Sequence, residues 1–157
     1  MDIVYRSCCF MQAITLKTFA DWQVSGRENV PPMGPLIVVS NHLSNFDSSA
    51  LATSIPRRLR FLAKKEIFHW PATWFLDAYG AVPLDKKRFN LDSCRWALEK
   101  LRQDQALVMF PEGARSHTGM RKGRPGIAHL ALASQAPILP VGITGTQGLG
   151  SVLRVFN

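Results

Sequence analysis

Cysteine is too scarce and too poorly spaced in this chain to build a covalent or metal framework. Cys8, Cys9 and Cys94 are three in number, two are adjacent, and no pair has zinc-ligand spacing. That pattern predicts reduced thiols in a cytosolic setting rather than a disulfide scaffold. Long hydrophobic runs are missing too: no window of 18 or more uninterrupted apolar residues occurs, so no transmembrane helix is expected. Repeats and low-complexity tracts are absent, which sets aside repeat arrays. Negative charge is in short supply, with 11 Asp and Glu against 19 Lys and Arg, giving a formal net charge of +8. Anionic partners are favoured: nucleic acid, acidic lipid surfaces or phosphorylated substrates.

What is present suffices for one folded unit. With 157 residues, 46% of them hydrophobic, the chain has the size of a single domain with a core of its own. The stretch "SCCFMQAITL" follows Arg6 and resembles the apolar part of a signal peptide, but no small-residue cleavage pattern precedes "KTFADW". The spacing instead predicts a helix over residues 3–20, with Val4, Cys8, Met11, Thr15 and Phe19 on one face and Arg6 and Lys17 elsewhere. Such a helix packs on the domain's own core or lies on a membrane surface. Residues 1–24 are therefore set apart as an amphipathic helix ahead of a domain spanning 25–157.

Along that domain, apolar runs alternate with helical patterns. "PLIVVSN" (35–41) reads as a buried strand and "SSALATSI" (48–55) as a helix ended by Pro56. "LRFLAKK" (59–65) is a second strand, "IFHWPATWFLDAYG" (67–80) a helical or irregular apolar segment, and "AVPL" (81–84) a short strand. Asp92 can cap a helix through about Gln103, with Cys94, Ala97, Leu98 and Leu101 inward and Arg95, Glu99 and Arg102 outward. "ALVMFPEG" (106–113) reads as a buried strand cut off by Pro111, "GIAHLALASQ" (126–135) as a helix, and "PILPVGITG" (137–145) as a strand interrupted by Pro140. The alternation predicts an α/β domain: a mixed, mostly parallel sheet flanked by helices, with its active site on the rim where the strands end.

Two polar stretches fall on that rim. "NHLSNFD" (41–47) and "FPEGARS" (110–116) each begin where a buried strand ends, which delivers His42, Asp47, Glu112 and Arg115 to one pocket. A histidine that accepts a proton needs its ring oriented and its tautomer fixed, and an aspartate on the other nitrogen does both. Spacing alone leaves His42 open as a capping or turn residue. His69, His117 and His129 lack an acidic partner nearby and read as packing or surface residues. A metal on His42 and Asp47 would need further ligands, and no HExxH or Cys/His cluster supplies them. In the second stretch Gly113 permits a tight backbone path, Glu112 offers a carboxylate, and Arg115 presents a fork of donors suited to phosphate. Arg121, Lys122 and Arg124 follow, either as a solvated basic loop or as further cations of the site.

These blocks carry a resemblance. "NHLSNFD" and "FPEGARS", about seventy residues apart, resemble the first and third signature blocks of the glycerolipid acyltransferase family, to which lysophosphatidic acid acyltransferases belong. "GAVPLDKKR" resembles the second block and "APILPVGITGT" the fourth, and "WQVSGRENVPPMGPLIVVSN" is similar to the family's approach to its first block. The similarity covers roughly residues 20–146, with the four blocks in order.

The resemblance implies an O-acyltransferase of phospholipid biosynthesis. His42 would be the general base and Asp47 its orienting partner; the acceptor hydroxyl would attack the thioester of acyl-CoA or acyl-carrier protein directly, with no cofactor and no metal. Glu112, Gly113 and Arg115 would bind a glycerol phosphate or lysophospholipid acceptor. Lys86 and Arg88 would add cations from the second block, and Asn41, Ser44 and Ser116 would line the substrate site. Pro140 would shape the acyl or acceptor pocket. A cytoplasmic protein, peripheral on the inner face of an anionic membrane, is what this chemistry implies, with acyl-carrier protein a further partner and nucleic acid none. The sequence departs from the family's pattern at Lys86, where arginine is usual and Lys87 and Arg88 are placed to substitute, at Ala114 for threonine, and at Gln147 for glutamate. These bear on the acceptor more than on the reaction. Family members continue beyond the fourth block, so 25–157 is expected to be a shortened or minimal member; the alternatives are a non-catalytic lipid-binding relative, or the same acyl transfer onto a different lipid acceptor.

Overall fold

The computed structural model describes residues 2–70, 72–84, 91–116 and 119–148. Lys86, Lys87, Arg88 and His117 lie outside the described residues. Five helices and five strands alternate along most of the chain: α1 (Asp2–Phe19), β1 (Leu36–Ser40), α2 (Asp47–Ser54), β2 (Leu59–Lys64), α3 (Ala72–Tyr79), β3 (Ala81–Leu84), α4 (Leu91–Arg102), β4 (Ala106–Met109), α5 (Gly126–Ser134) and β5 (Ile138–Val141). They form one sheet in the order β3-β2-β4-β1-β5. All four pairings among the described residues are parallel, so the expected antiparallel admixture does not appear.

The strand sequences explain the layering. Successive side chains of a strand point to opposite faces, and a strand covered on both sides is apolar throughout. Leu36 and Val38 of β1 and Ala106 and Val108 of β4 join Tyr5, Leu51, Phe61 and Tyr79 in one core, beneath α1, α2 and α3. Ile37 and Leu107 point the other way and pack with Ala97 and Leu101 of α4 and Leu130 of α5. Parallel neighbours need crossover connections, and the two that matter leave on opposite faces. From β1 the chain passes through α2 to β2; from β4, beside β1, it passes through α5 to β5. The two central strands thus send their outgoing loops apart, opening a crevice at their carboxyl ends, where α/β sheets bind ligands.

Several local expectations are corrected. Of the α1 face drawn from the spacing, Met11 is 68% and Phe19 84% exposed, whereas Tyr5 and Leu16, outside it, are buried and turn toward the core. Tyr5 is the reason, because its hydroxyl accepts the Leu59 N–H at 3.2 Å and its ring meets Tyr79 at 5.5 Å. Gln12 adds a 2.6 Å bond to Ser49 of α2. Asp92 stands inside α4 rather than at its cap, and Cys94, expected inward, is exposed. β4 stops at Met109, so "FPEG" is turn rather than strand. Pro140 does not interrupt β5; it stands in register with Val39, and β5 is an edge strand among the described residues, where a proline costs no ladder bond on its open side.

The α1 contact yields a stability prediction. Tyr5→Phe keeps the ring and strands the buried Leu59 N–H, a loss of about 1–3 kcal/mol. Urea titration should show a lower midpoint with an unchanged slope; an unchanged midpoint would mean that α1 docks by ring packing alone.

Candidate active site

The crevice is built by backbone ties between the loops. Asn41, the first residue after β1, holds Ile143 from both sides: its Nδ2 donates to the Ile143 carbonyl and its Oδ1 accepts the Ile143 N–H, both at 2.8 Å. His42 is clamped in the same way by the loop after β4. Its N–H donates to Glu112 Oε1 at 3.1 Å, and its carbonyl accepts the Ser116 N–H at 2.9 Å. The imidazole stacks on Phe110, with ring centroids 4.1 Å apart and planes 18° from parallel.

Asp47 opens α2, where the helix dipole favours a carboxylate. It is fully buried, and its partners account for that. Oδ2 accepts the N–H groups of Leu43 (2.6 Å) and Ser44 (2.8 Å) and lies 2.9 Å from His42 Nδ1. Oδ1 accepts the Thr146 hydroxyl at 2.6 Å. Burial pushes the Asp47 carboxyl up, but the bonds from His42, Ser44, Thr146 and Leu43 outweigh it and hold the group below its ordinary value. An ionised Asp47 can only accept, so Nδ1 carries the ring proton and Nε2 is left as an acceptor. The side chain of His42 is 20% exposed against 0% for Asp47. Such a pair can serve as a proton acceptor with an anionic support behind it.

The depressed carboxyl has a consequence for folding. Its stabilisation is present above the unfolded value, near 3.8, and is lost as pH falls through the lower folded one. Urea unfolding between about pH 5 and pH 3 should therefore depend less steeply on pH in Asp47→Asn than in the parent chain. Equal slopes would mean that Asp47 does not carry the acid sensitivity.

Glu112 is not open to a ligand in the way the sequence suggested. Its two oxygens accept from backbone, Oε1 from His42 N–H and Oε2 from Arg121 N–H at 2.9 Å, and the residue is buried. It fastens the loop after β4 to the base. Ser116 is buried as well, its hydroxyl donating to the Gly119 carbonyl. Ser44 is buried with its N–H on Asp47 and its Oγ accepting the Phe46 N–H at 3.3 Å. Gly113 has φ +66°, and a Cβ there would meet the Arg124 guanidinium, 3.0 Å from Nε. The missing side chain is what lets Arg124 fold back onto the turn, and Arg124 N–H donates to the Pro111 carbonyl at 3.0 Å. Arg124 is exposed like its neighbours Arg121 and Lys122, yet its guanidinium lies against this turn. Arg115 is exposed on the rim, and among the described residues no carboxylate forms an ion pair with it.

Pro140 is exposed and borders a cavity of about 460 Å³ beside the loop after β1, with Asn41, Pro111, Met120, Gly142 and Ile143. A larger groove, about 820 Å³, lies between α1 and the start of β2, at the opposite end of the strands from His42. Arg57 in its wall is already committed, donating to the carbonyls of Pro31, Gly34 and Asp104 at 2.6–3.1 Å. His69 and His129 are exposed. Among the described residues, no group of three His, Cys, Asp or Glu side chains is placed to hold a metal ion. Sequence reasoning missed Phe110 and Thr146. Both lie within the quoted blocks, yet an apolar residue and a threonine carry no local sign that one stacks on the base and the other reaches its partner.

Known proteins resemble this chain in sequence and in fold. Residues 21–144 match the profile of the family described as Acyltransferase. The 1-acyl-sn-glycerol-3-phosphate acyltransferase of Saccharomyces cerevisiae is 34% identical in an alignment 157 positions long that covers 95% of this chain and 52% of the yeast protein. The human 1-acyl-sn-glycerol-3-phosphate acyltransferase alpha is 34% identical over 132 residues, 80% of this chain and 46% of its own. The crystal structure of the 1-acyl-sn-glycerophosphate acyltransferase PlsC from Thermotoga maritima superposes with a TM-score of 0.79 at 28% identity, covering 91% of this chain and 58% of that one. This chain spans about half the length of the curated relatives it matches. The family profile over four-fifths of the sequence and a parallel α/β fold shared with PlsC lead to one conclusion: the chain belongs to the acyltransferase family.

Proposed function

We propose that this domain transfers an acyl chain from a thioester donor, acyl-CoA or acyl-carrier protein, to a free hydroxyl of a lysophosphatidic acid-like acceptor. The observation that carries the reading is the buried Asp47 carboxylate 2.9 Å from His42 Nδ1, which leaves Nε2 of the part-exposed ring available as a base. The acceptor O–H donates its proton to Nε2 while its oxygen attacks the thioester carbonyl. The tetrahedral adduct then collapses, the C–S bond breaks, and the imidazolium returns the proton to the departing sulfur. No acyl-enzyme is needed. Asp47 stabilises the imidazolium that forms in between. The acceptor class is taken from the relatives, whose names specify 1-acyl-sn-glycerol 3-phosphate.

The other residues take roles that their surroundings support. Arg115, exposed at the rim, clamps the acceptor phosphate, with Arg124 against Gly113 as a neighbouring cation. Lys86 and Arg88 add charge from the second block. Glu112, Ser116, Asn41 and Ser44 act through the backbone around His42 and Asp47 rather than on substrate. The cavity beside Pro140 takes hydrocarbon.

An anionic membrane surface is the proposed site of action, on its cytoplasmic face. No helix among the described residues is long and apolar enough to cross a membrane. The outward side of α1 nevertheless carries Ile3, Phe10, Met11 and Ile14, all exposed, with the exposed Arg6 and Lys17 along one edge. Apolar stripes flanked by cations are the pattern of helices that lie in the interface. Trp70 and Trp74 are exposed near α3, which packs beside α1.

Thiol release from acyl-CoA across a panel of lysophospholipid acceptors, with product identified by mass, tests the transfer. Acceptor-dependent thiol release that disappears in His42→Ala is the expected result. Donor or lipid binding without thiol release would overturn it in favour of the non-catalytic lipid-binding reading.

A further inference from the structure

We propose that Thr146 is a positioning residue of the His42–Asp47 pair, its hydroxyl fixing the carboxylate so that Oδ2 stays on His42 Nδ1. The geometry is direct. Thr146 Oγ1 lies 2.6 Å from Asp47 Oδ1, and both residues are buried. The contact joins positions 99 residues apart in sequence, so it is a product of the fold rather than of the loop that holds the pair. Asp47 Oδ2 has three partners, His42, Leu43 and Ser44, and these hold one end of the carboxylate. Thr146 holds the other end and defines the plane. Buried as it is, Thr146 cannot touch substrate; whatever it contributes passes through Asp47.

The segment carrying Thr146 is itself anchored. Three residues earlier Ile143 is gripped at both N–H and C=O by Asn41, immediately before His42. The end of β5 is thereby tied to the catalytic loop at two points, one on its backbone and one on its carboxylate. Removing the hydroxyl leaves a buried Oδ1 without a donor, which costs more when the carboxylate's charge stands alone than when an imidazolium faces it. The sign follows. Loss of the Thr146 bond favours the protonated pair, and the pH at which the pair takes up a proton rises. The charged groups brought to the pair are few: Glu112 from the loop after β4, with its oxygens on backbone N–H groups, and no titratable side chain between Ile143 and Gln147.

The test uses Thr146→Val, which keeps shape and removes the hydroxyl, and Thr146→Ser, which keeps the hydroxyl. The proton-uptake midpoint of the pair is read from the His42 ring resonances during an NMR pH titration, with amide spectra reporting the fold. In Thr146→Val the midpoint should move about half a unit or more to higher pH, and turnover should fall about tenfold, with the acidic limb of its pH profile displaced in the same direction. Thr146→Ser should return both to near the parent values. In an Asp47→Asn background, Thr146→Val should move the midpoint no further, a result that simple loss of packing would not give. An unmoved midpoint in folded Thr146→Val overturns the proposal, as does a Thr146→Ser midpoint displaced as far as that of valine. Should valine prevent folding, Thr146→Ala replaces it under the same criteria, with the serine result standing independently. The turnover arm rests on the acyl-transfer reading and the titration arm does not. Failure of that reading, seen as full turnover in His42→Ala, therefore leaves the role of Thr146 decided by the resonances.

Discussion

His42→Ala should lower turnover by about 10²- to 10⁴-fold, the loss expected if a positioned general base is removed, while the domain stays folded. The second half of that expectation comes from the hydrogen-bond pattern. The clamps on residue 42 are its N–H to Glu112 and its carbonyl to Ser116, and alanine keeps both. Asp47 loses the ring but retains the N–H groups of Leu43 and Ser44 on Oδ2 and the Thr146 hydroxyl on Oδ1. The carboxylate is thus not left bare in a buried site, which would cost several kcal/mol. Turnover with saturating donor and acceptor, measured beside thermal unfolding, separates the two effects. Residual turnover should also lose the acidic limb that the base imposes. A folded His42→Ala with turnover near that of the parent would remove His42 from the chemistry.

Much of the fold was legible because a parallel sheet writes itself plainly. Runs such as "PLIVV" and "ALVM" are apolar at every position since both faces of the strand are covered, and the helices between them carry the 3.6-residue period. The rim location of the site followed from the strand ends. α1 was left open for a physical reason: its apolar residues form two stripes, one buried with Tyr5 and Leu16, the other exposed with Ile3, Phe10 and Ile14. Hydrophobicity alone ranks the stripes equally or favours the wrong one. The choice is made by a hydroxyl on Tyr5 that meets a strand N–H more than fifty residues away.

The site was legible in its residues and much less so in their division of labour. His42 and Asp47 are five apart, and a turn into a helix brings them together by local geometry. Glu112 and Thr146 meet the pair only after the sheet has assembled, 70 residues from His42 and 99 from Asp47 respectively. A carboxylate in "FPEG" reads as a ligand for substrate because charged groups near a catalytic loop often are. Only its two backbone partners reveal a brace. Arg124, read as one of three loop cations, is separated from Arg121 and Lys122 by a contact that exists because Gly113 has no Cβ. In each case the missing information was a long-range contact, which no window of sequence contains.

That redistribution sharpens the test of the positive charge. If Arg115 clamps the acceptor phosphate, Arg115→Ala removes a charge-assisted contact of about 1.5–3 kcal/mol, and acceptor KM rises about tenfold to a few hundredfold. Donor KM should barely move. Arg115→Lys should fall between, because a point charge on a flexible stem replaces a planar fork. Arg124 stays in place against Gly113 in both variants, so binding is weakened rather than abolished. Arg121 and Lys122 are exposed, and if they serve the membrane they act by a different law. Their joint neutralisation should weaken attachment to anionic vesicles by about 1 kcal/mol per charge, and added salt should mask it. A short-chain soluble acceptor takes the membrane out of the measurement. With it, acceptor KM at low and high ionic strength should remain high for Arg115→Ala and stay at the parent value when Arg121 and Lys122 are neutralised. An unchanged acceptor KM in Arg115→Ala would free Arg115 from the phosphate. An equal rise on neutralising Arg121 and Lys122 would reduce the clamp to a diffuse field, since only a directed contact depends on which cation is removed.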